Sequence, residues 1–203
     1  NVRLKVPFIR QEDDNSCGIA SLQMALKHIG KEVEKSKLED LTEYDGKGMM
    51  TGQLSYAAVK AGADARLYSR NLDFNPKNLE KDFYQERSDY SQETFEKWTE
   101  KPIEAGVEFI EKNMELDEIL ARLDEDQSII ALIDWNVIKG EEGYLGHFVP
   151  ITGYNENTVI VHNPDSENGR NYPIQRELFD KARKADGTEE DTLVLGNTSK
   201  PNF

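Results

Sequence analysis

Ser128-Ile129-Ile130-Ala131-Leu132-Ile133-Asp134 is a nearly continuous apolar run. A strand apolar at successive positions needs cover on both faces, so this run predicts a buried central strand. Residues 147–153 and 158–162 read as two more strands, with Tyr154-Asn155-Glu156-Asn157 as the hairpin turn between them. Residues 174–183 read as a helix and 192–195 as a final strand.

Upstream of residue 128 the periodicity is mostly helical. Residues 1–10 form an extended lead-in, in which Val2, Leu4 and Val6 alternate with polar residues before Pro7 interrupts. Ile19, Leu22, Ala25, Leu26 and Ile29 then recur at helical spacing, predicting a helix over 17–29 that stops at Gly30. Ser36-Lys37-Leu38-Glu39 has the form of a capping box and predicts a second, short helix. Residues 51–61 predict a third helix, 63–69 a weak strand, and 115–123 a further amphipathic helix. Helices first and antiparallel strands later is an α+β plan in a single domain spanning 1–203.

Residues 70–113 are charged, rich in aromatics, and lack a strong apolar stripe. They read as a helical insertion, with Asn75-Pro76 and Ser91 as helix starts. Phe83, Tyr84, Tyr90, Phe95 and Trp98 either anchor this insertion to the body, the preferred reading, or line a cleft.

The formal charge of −14 argues against nucleic-acid and anionic-membrane partners, which require basic patches. It favours solubility; a solvated acidic surface is the preferred reading, and a field that selects basic or neutral substrates is the alternative. No run approaches the length of a membrane span, and no signal-peptide pattern opens the chain. The chain starts at Asn1 rather than Met, which leaves room for an upstream segment. One cysteine excludes an internal disulfide framework. It points weakly to a cytoplasmic setting, with an extracellular one open if a signal precedes Asn1. Oligomeric state is not legible.

That single cysteine, Cys17, follows the turn-forming cluster Gln11-Glu12-Asp13-Asp14-Asn15-Ser16 and precedes Gly18 at the start of the first helix. The free amides of a helix start favour a charged sulfur, so this is a place for a thiolate nucleophile. Three histidines could serve as its base. His28 lies in the same helix, about 16 Å along the axis, too far to touch the thiol. His147 opens a strand beside the Gly-bearing loop 140–146 and is the first choice; His162, ending the next strand, is the second. An antiparallel pair sets a strand start beside its partner's end, which brings Asn163 near His147. Asn163 or Asp165 would then orient the imidazole. Gln11 and the Cys17 backbone N–H would supply the oxyanion donors. Against this, Glu12, Asp13 and Asp14 would raise the thiol's pKa if they faced it.

Val6-Pro7-Phe8-Ile9-Arg10-Gln11 and Asn15-Ser16-Cys17-Gly18-Ile19-Ala20-Ser21-Leu22 resemble the amino-terminal motif of the C39-like peptidases, papain-like enzymes related to the double-glycine leader peptidases of bacteriocin exporters. Gly146-His147-Phe148-Val149-Pro150-Ile151-Thr152-Gly153-Tyr154 and Val159-Ile160-Val161-His162-Asn163-Pro164 resemble that family's histidine strand and the step after it. The resemblance covers residues 5–62 and 126–196. It implies a papain-like cysteine peptidase fold, with N-terminal helices carrying the Cys packed on a C-terminal antiparallel β-sheet carrying the His. It also implies Cys17 as nucleophile, His147 as base and Gln11 as oxyanion donor. The family's third member is often Asp where this chain has Asn163, which leaves Asp165 as the alternative.

The leading expectation is a cysteine peptidase or amidase acting on a peptide or small amide, without cofactor or metal. No HExxH-like or paired Cys/His spacing is present. An acyltransferase using the same Cys-His site, and a non-catalytic peptide-binding module of the same fold, are the alternatives.

Overall fold

The computed structural model describes residues 1–197. Chain order is β1 (Val2–Arg3), α1 (Cys17–His28), α2 (Lys35–Thr42), α3 (Thr51–Lys60), β2 (Ala63–Ser69), a 3-10 turn (Pro76–Glu80), α4 (Asp82–Arg87), α5 (Gln92–Glu104), β3 (Glu108–Glu111), α6 (Leu116–Leu120), β4 (Gln127–Asp134), α7 (Trp135–Lys139), β5 (Gly146–Tyr154), β6 (Thr158–Val161), β7 (Tyr172–Gln175), α8 (Arg176–Arg183) and β8 (Thr192–Asn197). The strands form one sheet in the order β3-β2-β8-β4-β5-β6-β7, with β1 added to β5. All pairs are antiparallel except β2 with β3.

The apolar run at 128–134 is the central strand the sequence predicts. Alternate residues of β4 enter two cores. Ile129, Ala131 and Ile133 pack with Leu120 and Phe179 on one face; Ile130 packs with Leu22, Leu26 and Leu54 on the other. The sheet is thus a layer between α1–α3 and α6–α8. Each fully buried Leu or Ile contributes about 1.5–3 kcal/mol relative to exposure. Two polar pins set α1 against the sheet. Ser21 Oγ donates to Phe148 O (3.0 Å), and Ser128 Oγ donates to Ala25 O (2.9 Å). These bonds hold the start of α1 beside the start of β5.

Several expectations are corrected. The helix at 35–42 begins before Ser36, and Ser36 does not cap it; Glu34 is the extended residue at its start. The helix expected at 115–123 is α-helical only to Leu120, after which Arg122 and Leu123 donate to Ile119 and Leu120 in tighter turns. Of the helix expected at 174–183, residues 174 and 175 belong instead to β7, and the helix starts at Arg176. Pro173 is tolerated there because β7 is an edge strand that needs donors on one side only. The sheet is not wholly antiparallel, since the short charged strand β3 pairs parallel to β2. Within the 70–113 stretch the 3-10 turn, α4 and α5 alternate with non-helical residues, and β3 follows. Ser91 Oγ accepts from Thr94 N, and Asn75 accepts from Lys77 N, so both expected starts are used. A Cβ at Gly52 would lie 2.0 Å from Trp98 O, which shows how closely α5 is seated on α3.

Candidate functional site

Cys17 is the first residue of α1, so its backbone N–H lies in the turn whose donors lack intrahelical acceptors. The preceding loop is tied internally. Asp13 Oδ1 accepts from Asn15 N (2.9 Å) and from the Tyr44 hydroxyl (2.6 Å), and Ser16 Oγ accepts from Asp13 N (3.2 Å). Glu12 is drawn off to Lys35 (2.6 Å). Two of the three acids that threatened the thiolate are therefore engaged elsewhere.

The second residue of β5 is His147, buried, with Nε2 2.8 Å from Asn163 Oδ1. Oδ1 is an acceptor, so Nε2 carries the proton and Nδ1 is left for the thiol. Burial pushes the Cys17 thiol up, but the hydrogen bond and charge of His147, together with the Phe148 and Gly18 backbone N–H groups, hold it below the ordinary value. Burial likewise disfavours the His147 cation. The Cys17 sulfur, Asn163 and the charge of Asp165 outweigh it, and the imidazole rises above its ordinary value. The two shifts run in opposite senses because the charged form of each group favours the charged form of the other.

Asn163 is buried, while Asp165 is exposed. The backbone N–H of Asp165 donates to Asn163 Oδ1 (3.1 Å), and Asn163 N donates to Gly169 O (2.8 Å). The alternative left open in the sequence thus divides. Asn163 touches His147, and Asp165 acts on it through charge and braces Asn163. His162 is occupied on both nitrogens, with Nε2 2.8 Å from Val6 O and Nδ1 accepting from Asn171 N (3.0 Å). His28 is remote, its Nδ1 3.5 Å from Lys5 O.

Gln11 stands on the same cleft as Cys17 and His147. Its Nε2 donates to Asp13 O (2.8 Å), which leaves the second N–H of the amide free, while Oε1 is buried without a partner. The cleft, about 310 Å³, is also lined by Asp14, Asn15, Phe83, Arg87, Trp135 and Asp165. A second, narrower cavity of about 80 Å³ opens at Cys17 and runs beneath the 70–113 segment. All five aromatics singled out in that segment line it, so they form a cleft wall as well as an anchor.

Other residues at the site carried no sequence signal. Trp135 lies against the His147 ring, centroids 5.2 Å apart. Asp134 Oδ1 accepts from Asn136 N (3.0 Å) and Leu145 N (3.1 Å), fixing the loop that delivers Gly146 and His147. Arg87 of α4 donates to Asn15 Oδ1 (3.0 Å) and Asp14 O (2.8 Å), strapping the 70–113 segment to the Cys17 loop. Apart from the local Asp134–Asn136 bond, their partners lie 11 or more residues away, which no local pattern reveals.

Solved structures share this fold. The peptidase domain of Streptococcus ComA, a bifunctional ABC transporter involved in quorum sensing, superposes with a TM-score of 0.55 at 15% identity, covering 98% of this chain and 100% of that one. A protein from Bacillus anthracis described as a C39-like peptidase gives 0.58 at 18%, covering 98% of both. A double-glycine-motif protease from an AMS/PCAT transporter, solved with its leader peptide, gives 0.55 at 19%, covering 98% and 96%. At these identities the likeness establishes the fold, that of C39 peptidase domains. Among the described residues no helix is long and apolar enough to cross a membrane. The family model that matches the sequence carries a different description, guanylylate cyclase, and spans residues 6–195. Since it takes in nearly the whole chain, the chain belongs to the guanylylate cyclase family, built on the fold of the C39 peptidase domains.

Proposed function

We propose that the protein is a thiol hydrolase of peptide or amide bonds. The observation that carries this is His147, set between the Cys17 thiol and Asn163 Oδ1 at the mouth of a cleft. The Cys17 thiolate attacks the carbonyl carbon, forming a C–S bond and an oxyanion. The Cys17 backbone N–H and the free N–H of Gln11 stabilise that charge. The imidazolium of His147 gives its Nδ1 proton to the leaving amine as the C–N bond breaks, leaving a thioester. His147 then takes a proton from water, which attacks the thioester, releases the acid and restores the thiolate. Asn163 keeps Nε2 protonated and the ring in register throughout. The solved neighbour that holds a leader peptide supports a peptide as the occupant of this cleft.

The family's description raises a second reading, cyclisation of GTP. A triphosphate needs concentrated positive charge. Among the described residues, the cleft offers, besides His147, only Arg87, already bonded to Asn15 and to Asp14 O, beside the acids Asp14 and Asp165. The adjoining cavity is lined by acids and by no Lys or Arg. These charges favour the thiol reading.

Mixed-sequence peptides incubated with parent protein and with Cys17→Ala, products read by mass spectrometry, test the proposal. Cleavage by the parent alone is expected, with a thioester on Cys17 trapped at low pH. Cleavage by Cys17→Ala, or cyclic GMP formation that survives Cys17→Ala, overturns it. If an added amine captures the acyl group in preference to water, the same chemistry serves an acyltransferase.

A further inference from the structure

The cavity that opens at Cys17 has an unusual lining. Its lining includes the aromatic side chains of Tyr84, Tyr90, Phe95 and Trp98 and two carboxylates, Glu189 and Asp191. Among the described residues no Lys, Arg or His lines it. Glu189 is satisfied, accepting from Asn75 Nδ2 (2.8 Å) and Asn78 Nδ2 (3.2 Å), with Arg70 3.7 Å behind it. Asp191 has no ion pair among the described residues. It accepts from the Thr51 hydroxyl at 2.6 Å. It is deeply set, yet part of its surface is open to the cavity. The loop that presents these acids is strained, with Glu189 and Glu190 at φ 50° and 54°, where non-Gly residues are uncommon. Arg70 acts on Asp191 only at longer range, and burial still outweighs it. A buried carboxylate without an ion pair of its own costs free energy, and a cation arriving from outside relieves that cost.

We propose that this cavity is a specificity pocket for a lysine- or arginine-like side chain, whose aliphatic stem lies along the aromatic wall and whose cation meets Asp191. Aromatic faces suit both parts of such a chain, the stem by burial and the cation by its attraction to the ring face. Because the cavity shares Cys17, Gly48, Phe83 and Gly146 with the polar cleft, a substrate residue seated in it flanks the bond at the thiol. The high acidity of the chain brings cationic peptides toward it.

This names the substrate class of the proposed hydrolase and rests on that reading, but the pocket's preference is measurable without turnover. N-acetyl-lysine amide and its neutral isostere N-acetyl-norleucine amide are each titrated as protectants of Cys17 against iodoacetamide, in the parent and in Asp191→Asn. Hydrolysis of peptides bearing Lys, Arg, norleucine or Glu beside the scissile bond is measured in parallel. In the parent, lysine amide protects at about tenfold lower concentration than norleucine amide, and Lys and Arg peptides exceed norleucine in kcat/KM by a similar factor. Asp191→Asn, with a melting temperature no lower than the parent's, abolishes both preferences. Turnover with no basic preference, or a preference that survives Asp191→Asn, overturns the pocket assignment and leaves the hydrolase. Lysine-selective protection without turnover overturns the hydrolase and leaves the pocket. Neither protection nor turnover overturns both.

Discussion

Replacing Asn163 by Ala removes one side-chain oxygen that accepts from two groups, His147 Nε2–H at 2.8 Å and Asp165 N–H at 3.1 Å. The bond to His147 lies in a buried setting and favours the charged form of the ring. A hydrogen bond to a charged group contributes about 1.5–3 kcal/mol. At about 1.4 kcal/mol per decade, its loss lowers the thiolate–imidazolium population roughly 10- to 100-fold. The sign is fixed by the shifts. Asn163 raises the His147 value, so its loss lowers that value, weakens the charge that holds Cys17 down, and moves the thiol upward. Asp165→Ala removes a carboxylate that is exposed and screened, so its effect stays within about 1 kcal/mol, a few-fold at most. The assay is the pH dependence of Cys17 alkylation by iodoacetamide. The parent should react well below the ordinary thiol range, and Asn163→Ala should lose that acid limb. Asp165→Ala should keep it, and His147→Ala should leave a thiol raised by burial and opposed only by the Phe148 and Gly18 backbone N–H groups. A parent-like profile for Asn163→Ala, or greater damage from Asp165→Ala, refutes the assignment of Asn163 as the group that positions the base.

Two further perturbations follow from the packing. A Cβ at Gly169 would lie 1.8 Å from Asn163 O, so Gly169→Ala must displace the Asn163 loop. We expect a lower melting temperature together with loss of the acid limb of Cys17 alkylation; a parent-like limb would show that Asn163 does not depend on that contact. Asp191→Asn should stabilise the fold at neutral pH. Burial pushes Asp191 up to about 6, above its ordinary value of 3.8. The folded form therefore holds the proton more tightly, and the stability this contributes at low pH is lost as pH rises from 3.8 through 6. The resulting penalty is at most about 3 kcal/mol at pH 7. Urea unfolding should find the variant more stable than the parent at pH 7 and nearly equal at pH 4; the same difference at both pH values would remove the buried charge from the account.

Much of the fold is written locally. The apolar run of β4, the helical spacing from Ile19 to Ile29, and the turn at 155–157 each carry their own period, and the structure follows them. Boundaries decided by long-range pairing were not legible. Strand β7 forms because its edge position tolerates Pro173, and β3 forms because β2 offers a parallel partner to four unremarkable residues. The capping-box pattern at Ser36 failed because the chain turns into the helix two residues sooner.

The site divides the same way. The sequence by itself determined the candidate groups. It holds one thiol at a helix start, a histidine opening a strand, and an Asn163-Pro164-Asp165 step one hairpin later; β-strand alternation and helix geometry limit where these can point. Only the tertiary structure chose between Asn163 and Asp165 as the residue touching His147. That choice turns on the path of the loop after β6, which Gly169 allows to close on itself. Only the tertiary structure turned Glu12 and Asp13 away from the sulfur, toward Lys35 and Tyr44. It also carried the aromatics of 83–98 and the acid Asp191, more than 90 residues apart in sequence, to two sides of one cavity at Cys17. Proximity of that kind comes from sheet order and helix seating, which no local period encodes.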